Sequence, residues 1–159
     1  MPLLLRTVKQ NRWYRADAEP FLAQDDVPAD CFVDLPTKEN LLSVWEVQPD
    51  RSNLERVVRA VAVGRSAIDN MGYVVVESEH LEKAGIEILP NAGESFDKDA
   101  NAWHRDLVLS GNKLVELTKA MLLHGESGQI LKLRMKQIVA DGITAGELPE
   151  SVRKTLEKK

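Results

Sequence analysis

The sequence predicts an α+β fold: a mixed β-sheet of about five or six strands with a packed central helix, followed by a C-terminal helical hairpin. Three observations predict it. Residues 41–47 and 73–76 are short apolar runs rich in β-branched and aromatic side chains, which favours strands. Between them Leu54, Val57, Val58, Val61 and Ile68 recur at helical spacing, while Arg51, Glu55, Arg56 and Arg59 lie off that stripe. Beyond Asp97 the apolar residues fall on helical stripes. The reading divides the chain into a sheet domain, residues 1–95, and a helical region, residues 96–159, packed on it or forming a dimer interface.

Taken in order, residues 3–8 read as a strand and residues 12–15 as its hairpin mate, with Asn11 in the turn. Residues 16–30, punctuated by Pro20, Asp25, Asp26 and Pro28, read as a loop with at most one helical turn near Phe21 and Leu22. Residues 31–35 read as a short strand, antiparallel to 41–47 through the turn at 36–40. Ser52 and Glu55 have the spacing of a capping box at the start of the central helix. Gly64 weakens or ends that helix. After the strand at 73–76, Ser78 caps a short helix stopped by Gly85, and residues 86–89 form a last strand at a sheet edge.

From there the reading is helical throughout. One long helix covers residues 99–123 with a kink or close contact at Gly111, and a second covers 127–140. Gly142 and Gly146 bracket a turn into a short basic C-terminal helix. The strand–helix–strand unit has the outline of a nucleotide-binding unit, but Gln48, Pro49, Asp50 and Arg51 are no phosphate loop.

The totals set bounds. A chain of 159 residues buries roughly 70% of its unfolded surface and needs no staple. Cys31 is the only cysteine, so no internal disulfide forms, and a reducing compartment is expected. Leu3, Leu4 and Leu5 are too short a run for a signal-peptide core, and no run approaches a membrane span. The expectation is a soluble, cytoplasmic protein with no membrane partner. The net charge of -4 divides unevenly: residues 1–100 hold 11 Lys/Arg against 18 Asp/Glu, and residues 101–159 hold 10 against 7. A mildly basic end could meet an anionic partner or simply solvate helices.

Candidate chemistry is sparse. His104, Arg105, Asp106 and Leu107 resemble the H-R-D-L of the protein-kinase catalytic loop. Gly111 stands where that loop needs a metal-binding Asn, and no glycine-rich loop precedes the triplet, so the kinase reading is set aside. His104 with Asp106 remains a candidate acid–base pair, and Arg105 a candidate binding residue. No two of His80, His104 and His124 are spaced i, i+3 or i+4, so no local metal site is built and none is expected. No cofactor fingerprint is present either. Cys31, between apolar neighbours, reads as an inert thiol. Arg51, Arg56, Arg59 and Arg65 read as a solvated helix face with a lesser prospect of carboxylate or phosphate recognition.

The leading expectation is a non-catalytic protein-binding or assembly module, dimeric through apolar C-terminal helices whose residues cover more than one stripe. The alternative is a small enzyme or ligand-binding protein with a site around His104, Arg105 and Asp106. A weak nucleic-acid binder, through Lys132 and Lys136, comes third. Bulky Ile138 and the position of Pro149 fit a helix-turn-helix poorly.

Overall fold

The sheet is built outward from its first strand. In a computed structural model, which describes residues 1–158, β1 (Leu3–Val8) pairs on one side with β2 (Leu41–Val47) and on the other with β3 (Met71–Glu77). Beyond β2 lie β5 (His104–Val108) and the edge strand β4 (Glu87–Leu89), and beyond β3 lies β6 (Glu126–Ile130). The order is β4-β5-β2-β1-β3-β6, and every neighbouring pair is antiparallel. The α+β class therefore stands. Because β2 and β3 both run against β1, they run alongside each other, and the strand–helix–strand unit crosses over one intervening strand.

Helices cover both faces. On one face α2 (Leu54–Ala62), α5 (Lys132–Thr144) and the short α6 (Arg153–Glu157) bury Leu5, Trp45, Val47 and Val75 under Val57, Val58, Met135 and Val139. On the other, α1 (Arg15–Leu22), α3 (Ser78–Lys83) and α4 (Gly111–His124) bury Leu4, Leu42, Val74 and Leu107 under Leu81, Leu117 and Met121. Alternate residues of the three central strands, β1, β2 and β3, thus feed two cores, which is why β1 carries adjacent buried leucines, Leu4 and Leu5. Among the described residues no helix is long and apolar enough to cross a membrane.

Seven local expectations are corrected. Residues 16–22, expected in a loop with at most one helical turn, form most of the two-turn α1, and Gly142, expected to open a turn, lies inside α5. Residues 12–15 are not a hairpin strand. They lead from a 3-10 turn at Gln10–Arg12 into α1, and Trp13 turns inward because its indole Nε1 donates to the Asp34 carboxylate at 2.9 Å. Residues 31–35 belong to a 3-10 segment, Ala29–Asp34, in which Cys31 and the following Leu35 are buried and Val33 is exposed. The long helix expected over 99–123 is β5 followed by α4. Ser110 divides them, its hydroxyl accepting the Lys113 amide at 3.2 Å as an N-cap. The helix expected from Ser127 is β6 first and α5 second.

The Ser52–Glu55 capping box does not form. The Ser52 amide donates to Asp50, Asn53 occupies the cap position, and the Glu55 carboxylate accepts two bonds from Arg134.

These corrections remove the argument for an overly apolar C-terminal helix. Leu107 and Leu109 belong to β5 and the turn after it, and Leu117, Met121 and Leu122 are buried by the chain's own sheet and helices.

Candidate functional site

A crevice opens where β1 and β2 part. Their pairing runs only from Leu3↔Val47 to Leu5↔Trp45, while β1 stays with β3 to Val8↔Gly72 and β2 stays with β5 to Leu41↔Val108. Arg6 fills the gap. Its Nε donates to the Asp34 carbonyl at 3.0 Å and its Nη1 to the Ser43 carbonyl at 2.9 Å. Two cavities meet at Arg6 and Thr7, one of about 440 Å³ lined by Ser43, Trp45, His104 and Asp106, and one of about 670 Å³ lined by Lys9, Arg65 and Asn70.

The strand geometry of β5 decides which predicted residues come together. Successive side chains alternate faces, so His104 and Asp106 share one face, opposite Trp45 and Ser43 of β2, and Arg105 takes the other. Arg105 is spent there: its Nη2 donates to Glu46 at 2.8 Å and its Nη1 to the His104 and Ala102 carbonyls. It does not line the crevice.

His104 is buried and held from two sides. Its Nδ1 lies 2.9 Å from the Asn91 carbonyl oxygen. A carbonyl can only accept, so Nδ1 carries the proton, and in the neutral ring Nε2 is the acceptor. Nε2 lies 3.8 Å from Asp106 Oδ1, and Asp106 Oδ2 accepts from the Asn91 side chain at 2.7 Å. Asn91 therefore clamps both groups, one with its backbone and one with its amide. Trp45 meets the imidazole edge-on, with ring centroids 5.1 Å apart and planes at 81°. Gly93 makes this closeness possible, because a Cβ there would stand 2.9 Å from the Trp45 ring and 3.0 Å from His104 Cβ.

The crevice wall formed by residues 92–95 is tied down by buried charge. Ser95 Oγ donates to the Ala60 carbonyl at 3.0 Å. Asp97, fully buried, accepts from Arg56 at 2.8 and 2.9 Å and from Arg59 at 2.9 Å, and Glu147 joins both arginines. Burial alone would raise the Asp97 carboxyl, but the hydrogen bonds from Arg56 and Arg59 prevail and hold it below its usual value. The solvated-face reading of these arginines is thus replaced. Arg59 is buried, and the carboxylate it recognises is the chain's own.

The remaining candidates lie elsewhere. Lys132 and Lys136 sit one turn apart at the start of α5, flanking an Arg134 already paired with Glu55, and neither lines the crevice. Cys31 donates through Sγ to the Arg12 carbonyl, and burial, with Asp34 and Asp30 nearby, pushes its thiol up to about 11. Among the described residues no group of three or more His, Cys, Asp or Glu is placed to hold a metal ion. Arg6, Thr7, Ser43 and Asn91 were missed in the sequence. Only the fold brings them to His104, and the one local signal was a charged residue interrupting the apolar strand at Arg6.

The structure does bring two histidines together. His80 of α3 and His124 of α4 stack with centroids 4.0 Å apart and planes 3° from parallel. Lone pairs in parallel rings do not converge on one ion, so the contact reads as titration, not ligation. Burial, His80, Arg15 and Lys83 together lower the His124 pKa from 6.5. The unfolded chain then binds the proton more readily than the folded one, so this group's contribution to stability is full above 6.5 and falls as pH drops below it. Urea midpoints measured from about pH 8 to about pH 5 should show this decline, and it should flatten in His124→Gln.

Comparison with family models, curated proteins and solved structures finds no match to this chain.

Proposed function

We propose that this chain binds a small polar molecule in the crevice between β1 and β2, and that His104, with Asp106, accepts a hydrogen bond from it. One observation carries the reading: two acceptors, His104 Nε2 and Asp106 Oδ1, face each other at 3.8 Å on a cavity wall, with the imidazole tautomer fixed by Asn91. Two acceptors so placed are satisfied by a donor from a ligand, a hydroxyl or an amine. Ser43 and Thr7 on the adjoining wall offer hydroxyls that fix its orientation. The Asn91 clamp makes it a positioning residue for both groups.

Titration of isotopically labelled protein with glycerol and with ethanolamine tests this. Saturable amide shifts are expected at Thr7, Ser43 and Gly93, with affinity reduced about tenfold or more in His104→Gln and in Asp106→Asn. Shifts confined to other surfaces, or unchanged affinity in both variants, would contradict it.

A second reading, self-association, is favoured by a different observation. Leu131 and Leu133 are 58% and 83% exposed immediately after β6, which is an edge strand of the sheet. Two copies pairing through β6 would cover both leucines and the open edge. This predicts a sedimentation coefficient that rises with concentration and no longer does so in Leu133→Lys. A strictly monomeric profile over a wide concentration range would count against it.

A further inference from the structure

We propose that the larger cavity at the mouth of the crevice seats an oxyanion, the carboxylate or phosphate group of the molecule whose donor end reaches His104. The position of the two ends within one ligand rests on the reading above; the anion seat itself stands on separate observations.

The first is the state of Arg6. A guanidinium has five N–H donors, and Arg6 spends two of them, both on backbone carbonyls, those of Asp34 and Ser43. Neutral carbonyls fix its direction without neutralising its charge. The nearest carboxylate, Asp34, is committed elsewhere: its oxygens accept from the Lys9 amide and the Trp13 indole at 2.9 Å and from Arg12 at 3.4 Å. Among the described residues, Arg6 Nη2 donates to no protein acceptor.

The second observation is the company Arg6 keeps. Arg65, from the turn after α2, and Lys9, at the end of β1, line the same cavity of about 670 Å³. Among the described residues neither side chain has an ion-pair partner. Two carboxylates share the wall: Asp34, engaged as described, and Asp69, whose Oδ1 accepts the neighbouring Asn70 amide and whose charge remains, so the three cations outnumber them by one. Three cations therefore gather at one mouth in a chain whose net charge is -4. Burial lowers the Arg6 pKa and the repulsion of Arg65 adds to this, against the pull of Asp34. A bound oxyanion relieves that repulsion and takes the free fork of Arg6.

The third is continuity. Arg6 and Thr7 line both cavities, so an anion held at Arg6 lies at the threshold of the space that His104 and Asp106 face. The ligand class is a small hydroxy or amino compound carrying a carboxylate or a phosphate.

The test uses the intact chain at low ionic strength, with inorganic phosphate and acetate as probes read by amide shifts. Acetate has no hydrogen-bond donor, so its binding is independent of the glycerol and ethanolamine result, and phosphate, which keeps an O–H near neutral pH, is read against it. Saturable shifts at Thr7, Lys9, Gln10 and Gly72, weakened about tenfold in Arg65→Gln and by added chloride, are expected. Tighter binding of phosphate than acetate assigns a phosphate ligand, and the reverse assigns a carboxylate. Arg6→Gln should abolish the shifts, and because Arg6 also bridges β1 to its neighbours, the exposed Arg65 variant serves where folding suffers. No saturable shift with either anion, wild-type affinity in Arg65→Gln, or shifts centred on Lys132 and Lys136 would overturn the proposal.

Discussion

Replacing Asp97 with Ala should cost the chain about 3–5 kcal/mol of unfolding free energy, read from urea midpoints at constant slope. Asp97 is fully buried and is the shared acceptor for Arg56 and Arg59, the second of them only 5% exposed. Removing it leaves a buried guanidinium with Glu147 as its one carboxylate partner, at 3.2 Å. Arg59 has no slack to recover, since its Nε already lacks an acceptor among the described residues and its Nη1 lies against Gly142, where even a Cβ would stand 2.4 Å away. The change also unfastens the wall at residues 92–95, so binding in the crevice should fall with stability. A double variant, Arg59→Met with Asp97→Leu, should recover part of the loss by removing both charges. A cost under about 1 kcal/mol for Asp97→Ala would show that the network contributes little.

Replacing Leu107 with Ala should cost about 2–5 kcal/mol. Leu107 has no exposed surface, stands opposite Leu42 of β2 on one side and Ile88 of β4 on the other, and belongs to the core under α3 and α4. A cavity there opens between three paired strands and beneath α3 and α4, and the strand pairing holds it open. Were 104–108 helical, residues 104, 105 and 106 would fan out by about 100° each and His104 could not share a face with Asp106. A loss near zero would contradict the placement of β5 in the sheet interior.

What the sequence shows of this fold is what local pattern can carry. Leu41–Val47, the stripe of α2 and the helix stopped by Gly85 were all legible, because their apolar periodicity matches the element each one forms. β6 was not, since Glu126, Ser127, Gly128 and Gln129 have no strand propensity and are extended by pairing with β3. The capping box failed for a non-local reason: Arg134, 79 residues away, takes the Glu55 carboxylate. Two signals were present and could have been used. Cys31 and Leu35 are four apart, a helical spacing, and Ser110-Gly111 marks a true boundary instead of a kink.

The candidate site was legible in the same proportion. His104 and Asp106 stand out in the sequence, but their partnership depends on the strand period, and Arg105 leaves the site for the same reason. Thr7, Ser43 and Asn91 reach them only because β5 inserts between β4 and β2 and the β1–β2 ladder stops at Leu5.

The proposed role of His104 as an acceptor in the crevice depends on its tautomer. Long-range nitrogen–proton correlation spectra, at a pH where the ring is neutral, report which nitrogen carries the proton. The proton is expected on Nδ1, bonded to the Asn91 carbonyl, with a bare Nε2 facing Asp106. A proton on Nε2, donated to Asp106, would leave the crevice no acceptor on that ring and would contradict the proposed role of His104.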